Sequence, residues 1–580
     1  MDTTKSGHKP LTDAQKQPKS PGATEYSEKD TVPTSTEPGL KDSMSITPKE
    51  EALEPSDRKP DEETFETKIP NYPQGIKLIT IILALCFAVF LVALDQTIIS
   101  TAIPRITTRF QSVDDIGWYG SSYLVTKAAL QPSFGRIYSV FSIKYTFLTS
   151  IIIFEVGSLV CATAPSSKVL IVGRAIAGAG VGGLFTGSII IVAYCLPLPK
   201  RPAAMGVISS MWAIASVAGP LLGGVFTDRI SWRWCFYINL PIGAFCVLII
   251  AMILEINRDD NPSHLTLRKR VLKLDLIGGS LLIPAIVCLL LPLQWGGSKY
   301  PWNSSCIIGL FVGASCLTIL FIYSQMRLGD KGTLPPYLFR DRNTLCAFAL
   351  SAFFGAGFFS LVLYLAIYFQ SVKGSSALHA GIQMLPLLIS CSVSSTSTGA
   401  LISATGYYTP VMIGCMALFS IGAGLCTTLS ITTPFARNLG FQILAGLGLG
   451  VGFEGGIIVV QTVLPLQRIP MAISGVSLFM TLGGALFIPI SQAFFQKGIL
   501  HGIRETAPEL DGNIFLHAGA TELRSLLVSL HREKALDSVL QAYVAGLKNT
   551  FWVVAACALA AFLAACGLDW KSVKKGQLAE

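Results

Sequence analysis

Long apolar stretches recur along this chain from Lys77 almost to its end. A helix needs roughly 20 apolar residues to cross the hydrocarbon core of a bilayer, and each stretch approaches or exceeds that length. The pattern therefore predicts an all-α, polytopic membrane protein with fourteen spans, short loops and no second soluble domain. The predicted spans are residues 77–103, 116–136, 146–164, 169–196, 206–227, 235–254, 275–295, 305–326, 344–370, 379–402, 410–430, 438–464, 472–495 and 549–567.

An internal repeat organises these spans into two groups. Residues 177–192 align without gaps on residues 445–460, and nine of the sixteen positions are identical. The fourth span thus corresponds to the twelfth, which fits two parallel six-helix halves with two extra helices between them. We expect these units at residues 76–255, 256–343 and 344–567.

Composition excludes several classes of protein. Only 14% of the residues are charged and 51% are hydrophobic, whereas a soluble protein has roughly 25% charged residues. A soluble enzyme, a nucleic-acid-binding protein and a secreted disulfide scaffold are poor fits to these values. The 14 cysteines lie in or beside apolar stretches and form no CxxC or Cys/His ligand pattern. We therefore expect reduced, packed thiols and no metal site.

The first 75 residues differ from the rest of the chain. They hold 10 Lys+Arg and 15 Asp+Glu, are rich in Pro, Ser and Thr, and have almost no aromatic residues. Such a segment buries too little apolar surface to offset the entropy of ordering it, which predicts a disordered tail. No apolar stretch follows Met1, so no cleaved signal peptide is expected.

Basic residues predict the orientation in the membrane. With the N-terminus inside, the inner connections hold 14 Lys and Arg residues, and the short outer loops hold 8. This bias predicts that both termini, including a tail at residues 568–580, are cytoplasmic. A long outer loop at residues 496–548 follows from the same assignment. The one glycosylation sequon, at Asn303, then lies outside and is a candidate for modification.

Five charged residues fall well inside the predicted spans: Asp95, Lys127, Glu155, Arg174 and Glu454. A charge in hydrocarbon costs at least about 2.5–3.5 kcal/mol, so each one needs a function or a partner. A carboxyl group in apolar surroundings can exchange protons near neutral pH, and a nearby Arg keeps its charge throughout. Asp95, Glu454 and Glu155 are thus candidate proton carriers, and Arg174 is the candidate coupling cation. Ion pairs that hold two helices together are the structural alternative.

Several of these residues lie in motifs that resemble one family. Residues 94–97 and 102–104, LDQT and AIP, resemble the first-span motif of the fourteen-span drug:proton antiporters of the major facilitator superfamily. Residues 170–174, LIVGR, resemble the fourth-span motif, whose Arg is assigned in that family to proton coupling. The fifth-span antiporter motif is matched, with Ala215 in place of one Gly, at Gly206, Gly219, Pro220, Gly223 and Gly224. Residues 232–241, WRWCFYINLP, resemble fungal members that include efflux pumps for secondary metabolites and toxins.

This resemblance covers residues 77–567 and implies a major facilitator fold with fourteen helices in a 6+2+6 arrangement. It also implies a proton-coupled antiporter in the plasma membrane that exports a drug-like compound or a self-made toxic metabolite. The proton gradient would be its energy source; no GxxxxGK[ST] motif for an ATP-driven pump occurs, and no cofactor is expected. We expect a monomer in the lipid bilayer.

Other functions remain open alternatives. Transport of a siderophore or a basic amino acid, in the plasma or the vacuolar membrane, is compatible with the same fold. A membrane-embedded enzyme would need clustered His residues or a nucleophile beside its base, and the spans show neither. A sensor with a signalling tail would show no flux under any gradient.

The residues of the fifth-span motif have a physical interpretation that does not depend on the family resemblance. Small residues in the fifth-span motif allow close helix contact and Pro220 permits a bend, which predicts a hinge and seal; tight packing alone is the alternative.

Between spans 2 and 3 the family has an Asp-Arg pair, but Ser139 and Val140 stand at those positions. This departure weakens the case for a charge relay at that loop.

Polar and aromatic residues inside the spans are candidates for a substrate cavity. Lys127 either neighbours Asp95 or Glu155, or faces the substrate. The abundance of aromatic and amide side chains suits a small amphipathic organic molecule better than a sugar or an inorganic ion. The cavity candidates are Trp118, Tyr123, Lys127, Gln131, Trp212, Phe453 and Gln461.

Overall fold

The computed structural model describes most of the chain beyond the N-terminal tail. The described ranges are 72–111, 115–256, 267–271, 273–296, 300–512, 514, 527–529, 531–532 and 535–574. The predicted disordered tail therefore lies outside the described residues up to residue 71, as do residues 575–580 of the predicted C-terminal tail. Within these ranges the regular secondary structure is helical. The β-type pairing of the described residues is limited to isolated bridges, and no β-strand forms among them.

Fourteen long helices occupy the described ranges and follow the predicted spans in order. They are α1 Gly75–Phe110, α2 Ile116–Val140, α3 Ile143–Thr163, α4 Ser167–Cys195, α5 Arg201–Arg229, α6 Asn239–Ile253, α7 Leu276–Trp295, α8 Ser305–Leu328, α9 Arg342–Ile367, α10 Leu385–Thr405, α11 Thr409–Cys426, α12 Phe435–Val463, α13 Ile469–Thr506 and α14 Leu536–Cys566.

Among the described residues, thirteen helical segments are long and apolar enough to cross a membrane. The other long helix, α2, carries Lys127, Arg136 and several Ser and Tyr residues. It packs against α4, α7 and α13, so protein rather than lipid covers much of its surface. A helix surrounded by other helices does not need an apolar face on every side. The count of fourteen spans stays a prediction at α2.

Helices occupy both ends of the predicted outer loop 496–548. Helix α13 continues to Thr506 and α14 begins at Leu536, so both helices extend well into the predicted loop. The two extensions contact each other through glycine: a Cβ on Gly498 would lie 2.6 Å from Gly546 Cα. The hydropathy pattern missed these extensions because they contain polar residues, while small side chains still hold the helices together.

The helices form two halves with a pair between them in the sequence. Helices α1 to α6 pack together, as do α9 to α14, and α7 and α8 pack on each other. The α7–α8 pair contacts α2 of one half and α13 of the other. The halves meet mainly along α5 with α10 and along α2 with α13. A central site can therefore be reached by side chains from both halves.

The sequence repeat is also a repeat of packing. Gly180 in α4 contacts α3, where a Cβ would lie 2.5 Å from Phe154 N. Gly448 in α12, 268 positions later, contacts α11 in the same way, 2.5 Å from Phe419 Cα. Each half thus brings its repeated helix against the preceding helix at a position that only glycine fits.

The contacts between the halves follow the same symmetry. Gly135 in α2 approaches the start of α13, and an added Cβ would lie 2.9 Å from Pro470 O. Its counterpart in the other half is Gly399 in α10, which approaches Pro202 O at the start of α5. Both contacts lie at the end of the bundle that the sequence predicts to be cytoplasmic.

The loop that departs from the family pattern is nevertheless tied to its surroundings. Arg136, at the end of α2, donates from Nε and Nη2 to Lys273 O at 3.2 and 3.1 Å. Lys273 precedes α7, so this contact joins the N-terminal half to the connection between the halves.

A pair of glycine variants in α12 tests this packing. Gly448→Ala should destabilise the protein by about 1–3 kcal/mol, because the new methyl group overlaps the α11 backbone. Gly440→Ala is the matched control, since no atom lies within 4 Å of its added Cβ. It should be neutral or stabilising by about 0.5–1 kcal/mol. Thermal unfolding in detergent measures both; equal midpoints would contradict the packing described here.

Candidate functional site

An ion pair between α1 and α4 is buried in the N-terminal half. Arg174 Nη1 lies 2.5 Å from Asp95 Oδ2, and each side chain is 1% exposed. The two residues are 79 positions apart in the sequence. Each charge removes much of the cost of burying the other, which neither could bear alone in hydrocarbon.

Three further helices complete the site around this pair. Arg174 Nε donates to Tyr119 O in α2 at 2.9 Å, and its guanidinium lies 4.3 Å from the centre of the Tyr123 ring. Asn239 Nδ2, at the start of α6, lies 3.2 Å from Asp95 Oδ1 and 3.2 Å from Ser158 Oγ in α3. Five helices thus converge on one buried pair of charges.

The sequence did not predict the contacts of two of these partners with the ion pair. Tyr123, predicted to line the substrate cavity, instead stacks on Arg174. Asn239 had no predicted role, although it lies in the WRWCFYINLP segment that carries the family resemblance. A buried amide donor beside a carboxylate needs the three-dimensional arrangement to be recognised, because sequence spacing does not reveal it.

Glu155 in α3 lies against α6, near enough to Asp95 for the two carboxyl groups to interact electrostatically. Its carboxyl group sits over Gly243, where no Cβ would fit. Both carboxyl oxygens are buried, and neither has a hydrogen-bond partner among the described residues. The structure therefore does not pair Glu155 with Lys127 or Arg174. An unpartnered carboxyl group in this position is compatible with a protonated, neutral side chain.

Glu454 in α12 lies at the centre of the molecule, where the halves meet. It is 1% exposed, and its Oε1 accepts a hydrogen bond of 2.6 Å from Ser395 Oγ in α10. Ser209 of α5, in the other half, lies beside the same carboxyl group. In the internal repeat Glu454 corresponds to Thr186, so this acid breaks the symmetry between the halves.

A small cavity adjoins Glu454 between the halves. Its volume is about 30 Å³, far below the several hundred Å³ of a typical ligand pocket. Trp212 and Phe453 line it and stack on each other, with ring centroids 6.2 Å apart and planes at 19°. The halves would have to separate along α5 and α10 to admit an organic molecule.

Lys127 in α2 lies beside Trp212, which lines this cavity. It is 5% exposed, and its Nζ lies 5.6 Å from the centre of the Phe185 ring and 5.9 Å from that of Trp212. Among the described residues it forms no ion pair, so the predicted neighbourhood with Asp95 or Glu155 does not produce one.

The other predicted cavity residues are dispersed. Trp118 packs edge-on against Trp295 of α7, outside the central cavity. Gln131 is buried in α2, and neither its Oε1 nor its Nε2 has a hydrogen-bond partner in the described part of the chain. Gln461 is buried further along α12 than Glu454. Of the seven candidates, only Trp212 and Phe453 line the cavity, with Lys127 beside them.

The fifth-span motif forms two kinds of close contact. Towards α1, a Cβ on Gly219 would lie 3.0 Å from Ile98 N, and one on Gly223 would lie 2.6 Å from Ile98 O. Towards the other half, Gly206 approaches Ser395 O in α10.

Gly224 has no atom within 4 Å of an added Cβ, so close packing does not explain it. Pro220 lies inside α5, as predicted. Tight packing is thus shown for three of the motif glycines, and the hinge stays a prediction.

Two further predictions concern modification and metals. Asn303 is exposed in the connection between α7 and α8. In the described ranges, no group of three or more His, Cys, Asp or Glu residues could hold a metal ion.

Comparison with known proteins identifies the family. Residues 85–488 match the model of the Major Facilitator Superfamily. The MFS-type efflux pump MFS1 of Trichophyton rubrum is 47% identical over 516 residues, which cover 88% of this chain and 94% of that protein. The chain belongs to the Major Facilitator Superfamily. As a member, it is a multi-pass integral membrane protein, and the predicted fold class is confirmed.

Other similar proteins agree with this assignment. The efflux pump aflT of Aspergillus parasiticus is 42% identical over 508 residues, covering 87% of this chain and 98% of that protein. The solved structure of the proton:xylose symporter XylE, with a bound sugar analogue, matches with a TM-score of 0.53 at 14% identity. It covers 87% of this chain and 99% of XylE, and it supports the fold alone.

A double-mutant cycle tests the buried ion pair. Asp95→Asn leaves Arg174 charged and without its carboxylate, which should destabilise the protein by about 3–5 kcal/mol. Arg174→Gln should have a similar effect, and the double variant should lose less than the sum of the two. Thermal unfolding in detergent measures all three.

The exposed pair between Lys77 and Glu255 provides the control for this cycle. Its atoms are 2.6 Å apart, but the side chains are 43% and 71% exposed. Lys77→Gln should therefore leave the unfolding midpoint almost unchanged. If Asp95→Asn is as mild as Lys77→Gln, the buried pair does not stabilise the N-terminal half.

Proposed function

We propose that this protein is a proton-coupled antiporter that exports a drug-like compound or a self-made toxic metabolite. The observation that carries the proposal is the Asp95–Arg174 pair, a carboxyl group and a permanent cation enclosed by five helices. The names of the fungal relatives, which are efflux pumps, support export. Coupling itself would depend on the charges of this pair, because a proton on the carboxylate changes the interaction with the cation.

Protonation of Asp95 would remove one charge of the pair. Arg174 would then be buried without a counter-ion, at a cost on the order of 3–5 kcal/mol. A change of this size shifts an equilibrium between two conformations by roughly 10²–10⁴-fold. Proton binding at Asp95 can thus favour the conformation in which Arg174 finds other partners. In the structure, Arg174 Nε donates to Tyr119 O, and Asn239 Nδ2 donates to Asp95 Oδ1.

The halves would rock against each other along α5–α10 and α2–α13. Glu454 lies at this boundary, held by Ser395 of its own half and beside Ser209 of the other. A proton on Glu454 would change the interaction across the boundary, so it is a second proton carrier in the proposal. Glu155 is a third, because its carboxyl group has no described partner.

We place the protein in the plasma membrane with both termini in the cytoplasm. The excess of Lys and Arg on the predicted inner connections supports this orientation. The same connections contact each other in the fold: Lys77 pairs with Glu255, and Asn343 Nδ2 donates to Asp569 Oδ2 at 2.8 Å. Each of these contacts joins two predicted inner ends within one half.

Transport in inside-out vesicles tests the coupling. The substrate is the compound that cells retain when this gene is deleted, identified by mass spectrometry. With the vesicle interior acidified, the wild type should accumulate this compound against its gradient. Asp95→Asn and Arg174→Ala should abolish uphill accumulation, because neither can couple a proton to the conformational change.

Glu509→Gln provides a control, since its carboxylate is exposed and pairs with Arg532 at the surface. It should transport like the wild type. Uphill transport at wild-type levels by both Asp95→Asn and Arg174→Ala would refute the coupling role. Accumulation that ignores the pH gradient would refute proton antiport altogether.

A further inference from the structure

Lys127 is a buried cation that the proposed coupling does not use. It is 5% exposed, and among the described residues its ammonium contacts aromatic rings alone, those of Phe185 and Trp212. No carboxylate of the described residues pairs with it. Arg174, by contrast, is also buried, but its guanidinium forms an ion pair with a carboxylate.

An unpaired charge in this position is costly to the folded protein. Aromatic faces offset part of the cost of burying an ammonium, but less than a carboxylate would. Costs of this kind are found at functional sites, where a ligand supplies the missing partner. Glu454 belongs to the same central region but is engaged by Ser395 rather than by Lys127.

The surroundings of Lys127 describe the partner that would fit. Trp212 lies beneath its ammonium and also lines the central cavity. The Trp212 and Phe453 rings are nearly parallel and offer a flat apolar face. Apolar side chains, among them Phe358 and Leu388, line most of the remainder of the cavity, together with four serines: Ser209, Ser216, Ser392 and Ser395. A flat molecule with one acidic group would stack on the rings and place its negative charge at Lys127.

We propose that the central site binds planar aromatic organic acids, with Lys127 as the counter-ion of the ligand's carboxylate or ionised phenol. This assignment rests on the proposed export function and narrows its substrate class. Lys127 is then a specificity-determining residue: it selects anionic over neutral ligands of the same shape, because only the anion neutralises the buried ammonium.

Equilibrium binding of two matched probes tests this assignment. The probes are 9-anthracenecarboxylate and 9-anthracenecarboxamide, which share a flat ring system and differ in charge. Binding to purified protein in nanodiscs is measured at neutral pH without any gradient, and empty nanodiscs give the background. The wild type should bind the carboxylate at least about 10-fold more tightly than the amide.

Variants of Lys127 assign this preference to its charge. Lys127→Gln should reduce the affinity ratio to near one while leaving the amide affinity unchanged, and Lys127→Arg should retain the preference. Lys144→Gln is the matched control, since Lys144 is a partly exposed residue at the start of α3. It should bind both probes as the wild type does.

Thermal unfolding of the same variants reports on folding. Lys127→Gln removes an unpaired buried charge and should raise the midpoint in the absence of ligand. Loss of carboxylate preference in a well-folded Lys127→Gln variant would therefore be specific.

The proposal is overturned by any of three results. These are equal wild-type affinity for both probes, no measurable carboxylate binding, or an unchanged ratio in Lys127→Gln. Because binding is measured without a gradient, these results do not depend on proton coupling. Failure of uphill transport in vesicles, with the binding preference intact, would refute the antiport mechanism and leave the ligand class standing.

Discussion

The cost of a charge in hydrocarbon is the constraint that organises this molecule. Five charged residues are expected deep in the spans, and they meet that cost in different ways. Asp95 and Arg174 neutralise each other. Glu454 accepts a hydrogen bond from Ser395, whereas the carboxyl oxygens of Glu155 have no described partner. The ammonium group of Lys127 lies near aromatic rings, and no carboxylate of the described residues pairs with it. These differences separate the paired residues, Asp95 and Arg174, from buried ionisable groups that have no oppositely charged partner among the described residues.

Close packing of small residues is what brings these groups together. In lipid, helices associate through van der Waals contact, which glycine permits at short range. Gly180 and Gly448 repeat the same contact in the two halves, and Gly135 and Gly399 repeat the contact between them. The symmetric packing forms the frame, and Glu454, at the position of Thr186 in the repeat, provides asymmetry.

Hydropathy and the repeat were sufficient to predict the helices and the two halves, because both depend on local composition. The ends of α13 and α14 were missed, since small residues rather than apolar length hold them together. The charged residues could be identified individually from their cost, but their partners could not. Asp95 and Arg174 are distant in the sequence, and Asn239 offers no signal beyond its motif. The contact of Tyr123 with Arg174 could not be predicted for the same reason, because one helix presents side chains to several neighbours.

Coupling in this account depends on a proton that Asp95 accepts when Arg174 leaves it. Infrared difference spectroscopy of the protein in nanodiscs, between acidic and alkaline buffer, observes this directly through the C=O stretch of a protonated carboxyl group. If Asp95 accepts the proton, a band from a buried carboxyl group should appear at acidic pH and be absent in Asp95→Asn. The same band in Asp95→Asn, with its loss in Glu454→Gln or Glu155→Gln, would contradict the central role of the Asp95–Arg174 pair.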